Sequence, residues 1–276
     1  MKRLLYILLF IFFACEEVVI VELPASQNLV VVQGWVTDSL GSQPIRITRS
    51  NSFASDSSVD IIEHAEVFVV SKEGDTIHYS YEANGFYHSN TPFRGINGVE
   101  YRVLITIDTM EIKSEWDKMP ENVPIENLQF DFFEENDPNN PSQQITIFYP
   151  KITSRDPGDV MNFYRWVFYK NGEVFNDPDP IVIQNDRLFN GNLIPNNFQN
   201  FGYDSGNEMT VQLVSISENT HNYLKILRSQ ITTLGTSSGT TPAIVNGNLF
   251  FTNNMDQQVL GFFGAVSEST ETITLP

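Results

Sequence analysis

Leu29-Val30-Val31-Val32-Gln33-Gly34-Trp35-Val36, followed by Thr37-Asp38-Ser39-Leu40-Gly41 and Ile45-Arg46-Ile47-Thr48-Arg49, decides how the rest of the chain is read. An apolar run of strand length, a cluster of turn formers and an alternating segment predict two short strands joined by a turn. The pattern continues through Glu66 to Val70, a turn at Lys72-Glu73-Gly74-Asp75, Thr76 to Tyr81, a Gly85-Phe86-Tyr87 step and the alternating run Tyr101 to Ile107. Half-buried strands need a second sheet over their apolar faces, so residues 29–119 are expected to form an Ig-like or transthyretin-like antiparallel β-sandwich. No crossover helices separate the runs, and a parallel sheet is not expected.

Met119-Pro120 and Val123-Pro124 flank Glu121-Asn122 and predict a boundary, because proline disfavours both ladder hydrogen bonds and helix continuation. Residues 120–276 then form a second β-rich, sandwich-like domain, with strands expected at Ile125 to Phe133, Gln144 to Tyr149 and Asn162 to Tyr169. Glu134 to Ser142, rich in acids, Asn and Pro, reads as an exposed loop. Asn171-Gly172 is the strongest hairpin signal, since both residues tolerate the positive φ of a tight turn.

Within that domain, Phe163, Arg165, Val167 and Tyr169 alternate with Tyr164, Trp166 and Phe168. A strand apolar or aromatic on both faces is expected between two layers; the other reading is an aromatic face that meets a sugar ring or a partner protein. One helix is predicted over 217–234, capped by Ser217 and stopped by Gly235. Leu224, Leu227, Ile231 and Leu234 form its inward stripe, leaving Lys225 and Arg228 to solvent.

Chemistry-bearing motifs are weak. Gly235-Thr236-Ser237-Ser238-Gly239 spells Gly-x-Ser-x-Gly, but that motif works where a strand enters and a helix leaves, and here the order is reversed. His64, His78, His88 and His221 are scattered, without one-turn pairs for a metal. Asp177-Pro178-Asp179 and Asp156 to Asp159 lack the ligand ladder of a calcium loop and read as solvated turns. No catalytic residue, metal site or cofactor is expected, and the chain is read as a non-enzyme.

The amino terminus carries an address. Lys2-Arg3 precedes an unbroken apolar run from Leu4 to Ala14, and Cys15, the single cysteine, follows at once. The run is too short to span a bilayer, which needs about 20 apolar residues. It has the anatomy of a secretory signal peptide over residues 1–14. With a cysteine after the small residue, it resembles a bacterial lipoprotein signal, although Phe12 stands where the pattern has an aliphatic. Cys15 is the expected lipidation site and 15–28 a tether; permanent attachment takes more than one acyl chain.

Composition limits the partners. The 34 acidic residues against 16 basic ones give a net charge of −18, and cleavage before Cys15 deepens it to −20 by removing Lys2 and Arg3. Such a surface repels phosphate backbones, so nucleic acid is not an expected partner. At 41% hydrophobic and 12% aromatic residues, the chain can build its cores by burial, without disulfides.

Leu29 to Asp38, Gly98 to Ile107 and Tyr164-Arg165-Trp166 resemble segments of a lipoprotein family of Bacteroidetes-type bacteria, domain-of-unknown-function family forty-two forty-nine. So does a carboxyl-terminal signature: Asn222-Tyr223-Leu224, Gln230, Pro242-Ala243, Gly247-Asn248 and Val259 to Phe263. The resemblance implies a lipid-anchored outer-membrane protein of two mostly β domains, often encoded beside TonB-dependent receptors, with Glu16-Glu17 suited to display on the cell exterior. The leading expectation is an accessory or ligand-capture partner of such a receptor, taking a small ligand or glycan. The alternatives are a structural or assembly factor of the envelope and a surface hydrolase.

Overall fold

A computed structural model describes residues 28–50, 59–138, 140–175, 179–196, 198–233, 245–253 and 257–276. The first unit is built from β1 (Val30–Thr37), β2 (Ile45–Arg49), β3 (Asp60–Ile61), β4 (Glu66–Ser71) and β5 (Thr76–Ala83). β6 (Phe86–Ser89), β7 (Glu100–Ile107), β8 (Met110–Ser114) and β9 (Asp117–Lys118) complete its run. The second begins with β10 (Ile125–Asp137), β11 (Asn140–Ser154), β12 (Phe163–Lys170), β13 (Glu173–Val174) and β14 (Val182–Asn185). It continues with β15 (Tyr203–Asp204), β16 (Glu208–Ile216), the helix α1 (Glu218–Thr233), β17 (Leu249–Phe251) and β18 (Val259–Thr274). The protein is mostly β and sandwich-like, and among the described residues no helix is long and apolar enough to cross a membrane.

Alternation builds the first core. β7 buries Tyr101, Val103, Ile105 and Ile107, and these pack with Val32, Ile45, Ile47 and Val69. Its turns are the expected ones: Gly74 has φ +103°, and Gly85 has φ +81°. The second core gathers Tyr164, Trp166 and Phe168 with Phe148, Phe198, Phe201 and Leu213. Asn171 and Gly172 take φ of +54° and +81° in the β12–β13 hairpin. Met119 is buried in the first core and Val123 in the second, so the chain passes between them across Pro120.

Three features depart from the sequence reading. The pairing is not wholly antiparallel: β1 lies parallel to β18, from Val30 beside Val259 to Thr37 beside Val266. Nor does all of 120–276 stay in the second unit, because Leu249, Phe251, Val259, Phe263 and Ala265 return to the first core. One 15-stranded sheet therefore runs through both units, and β18 is the strand they share: beyond Val266 it turns its edge to β16, antiparallel, from Ser267 to Thr274. Finally, Glu134 to Ser142 is no free loop. It is the distal part of a long β10–β11 ribbon in which Glu134 to Asn136 pair with Thr146 to Gln144.

Small residues make the shared strand possible. Gly261 has φ +95°, and a Cβ on it would lie 1.9 Å from the Val32 carbonyl oxygen. Only glycine admits that backbone approach. Asn248 clips the same strand, accepting a hydrogen bond from the Phe263 amide at 3.0 Å and donating to its carbonyl at 2.7 Å.

The helix begins as the sequence indicates, with the Ser217 hydroxyl accepting from the Thr220 amide at 3.1 Å. Leu224 and Leu227 pack over Val214, Ile216 and Val266, and the Tyr223 ring stacks on Phe262 at 4.7 Å. The inward stripe is shorter than expected, because Ile231 is exposed. Arg228 does not simply face solvent: its guanidinium forms an ion pair with Asp179 and ties the helix to the segment before β14. Leu234 and Gly235 lie outside the described residues.

Candidate functional site

β12 supplies the site by alternation. Its side chains Tyr164, Trp166 and Phe168 point into the second core, where Phe168 stacks on Phe201 at 4.0 Å and Trp166 meets Phe198 at 5.1 Å. Phe163, Arg165, Val167 and Tyr169 occupy the opposite face and are only half-buried. The helix covers the Phe163 end of that face, together with Val167. Past the helix the face is open, leaving a groove of about 230 Å³.

Strand register arranges the groove's polar groups. Arg165 pairs with Val214 across β12 and β16, and Val214 pairs with Glu268 across β16 and β18, so the three share one row on one face. Strands lie about 4.8 Å apart, which separates the Arg165 and Glu268 backbones by about 10 Å. Glu268 is engaged elsewhere: Gln212 Nε2 donates to its carboxylate at 2.6 Å, and the Tyr169 hydroxyl donates to Gln212 Oε1 at 3.2 Å. Trp35, Val174, Leu224 and Val266 supply apolar walls.

Arg165 is left over. Among the described residues its guanidinium forms no ion pair, and its Nε is buried without a hydrogen-bond partner. Burial lowers its pKa from the usual arginine value, with the Tyr169 phenol acting the other way. The Tyr169 phenol is raised by burial first and by the Glu268 charge second. A half-buried cation with an unused donor is costly unless something completes it.

Sequence reasoning placed Arg165 on a face with Phe163, Val167 and Tyr169 without assigning it a role. The available signal was a lone arginine in an otherwise aromatic strand. The alternative of two covering layers holds for one face completely and for the other in part.

The remaining expectations fall elsewhere. Cys15, Ser237 and Asp177-Pro178 lie outside the described residues. Asp156 is no solvated turn residue: it is 2% exposed, accepts from the Gly191 amide at 2.8 Å and is bonded by the Tyr164 hydroxyl. Asp179 is held by Arg228. His88 lies 3.2 Å from Glu82, His78 packs edge-on against Phe68, and His221 packs against the Phe163 ring. Among the described residues no three His, Cys, Asp or Glu side chains gather as metal ligands.

Among the described residues, three larger openings have less chemistry. One of about 470 Å³ lies where the units meet, beside Met119, Pro120 and Met161, one of about 410 Å³ lies beside Asn28 and Arg49, and one of about 340 Å³ lies against the β10–β11 ribbon, beside Phe133 and Tyr149. None is built around an unpaired buried charge, and the Lys151 and Asp131 side chains at the last form an ion pair.

The model of the family described as Domain of unknown function (DUF4249) aligns with residues 16–272. No curated protein matches the chain.

Proposed function

We propose that this chain, which belongs to the DUF4249 family, is a surface-exposed outer-membrane lipoprotein that captures a small ligand for a TonB-dependent receptor. The observation that carries the reading is the Arg165 groove, a preformed recess with an uncommitted cation and apolar walls. Its polar groups suit holding a ligand: Tyr169, Gln212 and Glu268 bond to one another and leave the guanidinium free to bind.

The fold sets the groove far from the anchored end of the chain. A tether attached at Cys15 joins the body at the start of β1, where Val30 lies beside Val259. β18 runs in the same direction as β1, and Glu268 lies nine residues further along it, about 30 Å away at about 3.3 Å per residue. A body held by residues 15–28 thus carries the groove away from the lipid surface. Lys2-Arg3, the run Leu4 to Ala14 and Cys15 support the anchor itself.

Two measurements test the proposal. Mass analysis of the mature chain should find an acylated Cys15 at its amino terminus; an unmodified thiol or another start site overturns the anchor. Native isolation in mild detergent should recover an outer-membrane receptor with the chain at endogenous levels. Recovery of the protein alone overturns the partnership.

A further inference from the structure

We infer that the groove beside Arg165 binds a small monocarboxylate with an apolar tail, the carboxylate on the guanidinium and the tail along Trp35, Val174 and Leu224. The inference rests on the ligand-capture reading and names the ligand's chemistry.

Three observations carry it. First, Arg165 has no ion pair or side-chain hydrogen bond among the described residues, although its Nε is buried. A planar guanidinium with free donors matches a carboxylate with two parallel hydrogen bonds. Second, the remaining walls are largely apolar, so a bare inorganic anion would leave them wet. The volume, about 230 Å³, is below the roughly 300–1,000 Å³ of sites for drug-sized ligands, which suits a short chain. Third, the local charge favours a monoanion over a dianion, because repulsion from Glu268 doubles with the ligand's charge. Glu268 lies in the same row, held by Gln212, and the chain as a whole carries −18, so a dianion such as phosphate meets repulsion that one cation does not offset.

The electrostatic setting adds strength to the contact. Removal of water around Arg165 disfavours its charged form, and a bound carboxylate restores it. The hydrogen bonds so formed are charge-assisted and partly shielded from solvent.

The test is calorimetric titration of the full-length chain with hexanoate, hexanol, hexylammonium and inorganic phosphate. Hexanoate should saturate one site, with hexanol at least about tenfold weaker, because a charge-assisted hydrogen bond is worth about that or more. Arg165→Gln should weaken hexanoate about ten- to a hundredfold. Val174 lies on the exposed rim of the groove, so Val174→Trp blocks it without entering a core and serves should the arginine variant fail to fold. Absence of saturable hexanoate binding overturns the inference, as does equal binding of hexanol, hexylammonium or phosphate, or unchanged affinity in a folded R165Q or V174W chain. Receptor recovery is read separately. Hexanoate binding without a receptor sinks the partnership alone, and a receptor complex without hexanoate binding sinks the ligand class alone.

Discussion

The Ala265 amide donates a 2.9 Å hydrogen bond to the Asp117 carboxylate across 148 residues of sequence. The same carboxylate oxygen accepts from the Thr220 hydroxyl at 3.3 Å, so one buried acid joins β9, β18 and the first turn of α1. Asp117 is 2% exposed and faces no cation within ion-pair distance among the described residues. It fastens the first unit to the shared strand and to the helix beside the groove.

Stability should register that acid through pH. Burial raises the Asp117 pKa above the ordinary aspartate value, opposed by hydrogen bonds from Ser217, the Ala265 amide and Thr220. The folded chain therefore binds the proton more tightly than the unfolded one. The resulting contribution is complete below the ordinary aspartate pKa, about 3.9, and is lost as pH rises through the folded value. Asp117→Asn should accordingly gain stability relative to the parent chain as pH rises from about 4 to neutrality. Thermal midpoints of both chains across that window check the sign, and a flat or opposite trend refutes it.

The parallel seam is most exposed to change at Gly261. Alanine there meets the Val32 carbonyl oxygen and must hold φ near +95°. A loss of about 3 kcal/mol or more is expected, since a strained backbone and a steric clash add. Urea unfolding of Gly261→Ala measures it.

Tyr164 and Asp156 form a buried pair beneath β12. Among the described residues, Tyr164→Phe leaves the carboxylate with the Gly191 amide as its remaining hydrogen-bond donor, at 2.8 Å, and should cost about 1.5–3 kcal/mol. Because the other face of β12 is untouched, hexanoate affinity should stay within about twofold at temperatures where the variant is folded. Denaturation and titration of the same sample separate the two effects.

Arg228 and Asp179 hold α1 against the segment before β14, with side chains 42% and 21% exposed. Partial exposure limits their worth, so Arg228→Ala should cost no more than about 1 kcal/mol. Hydrogen exchange should quicken in the last turns of α1, while β12 and β16 keep their protection. Uniform loss of protection would show that the ion pair supports more than the helix end.

Much of the architecture was legible because its causes are local. Alternation in Tyr101 to Ile107 and in Phe163 to Tyr169 assigned strands and faces correctly. Gly74, Asn171 and Gly172 marked turns through their tolerance of positive φ, and Ser217 marked the start of the helix. The strands at Ile125 to Phe133 and Gln144 to Tyr149 were expected, but the distal end of their ribbon was missed because Glu134 to Ser142 has the composition of a loop. Its two strands hold each other by backbone pairing, which composition does not report. Arg165 was legible as an oddity and not as a site, since its lack of a partner depends on where Glu268 and Gln212 come to rest.

By itself, the sequence determined that this is a β-rich chain with one helix, which strand carries the aromatic core, and which residues turn the backbone. Those follow from periodicity and from the conformational limits of individual residues. Only the tertiary structure decided that β18 joins both units, that β1 meets it in parallel, and that an arginine is left unpaired beside an apolar groove. Each of these depends on groups far apart in the chain and held by shared burial, a relation that no local pattern encodes.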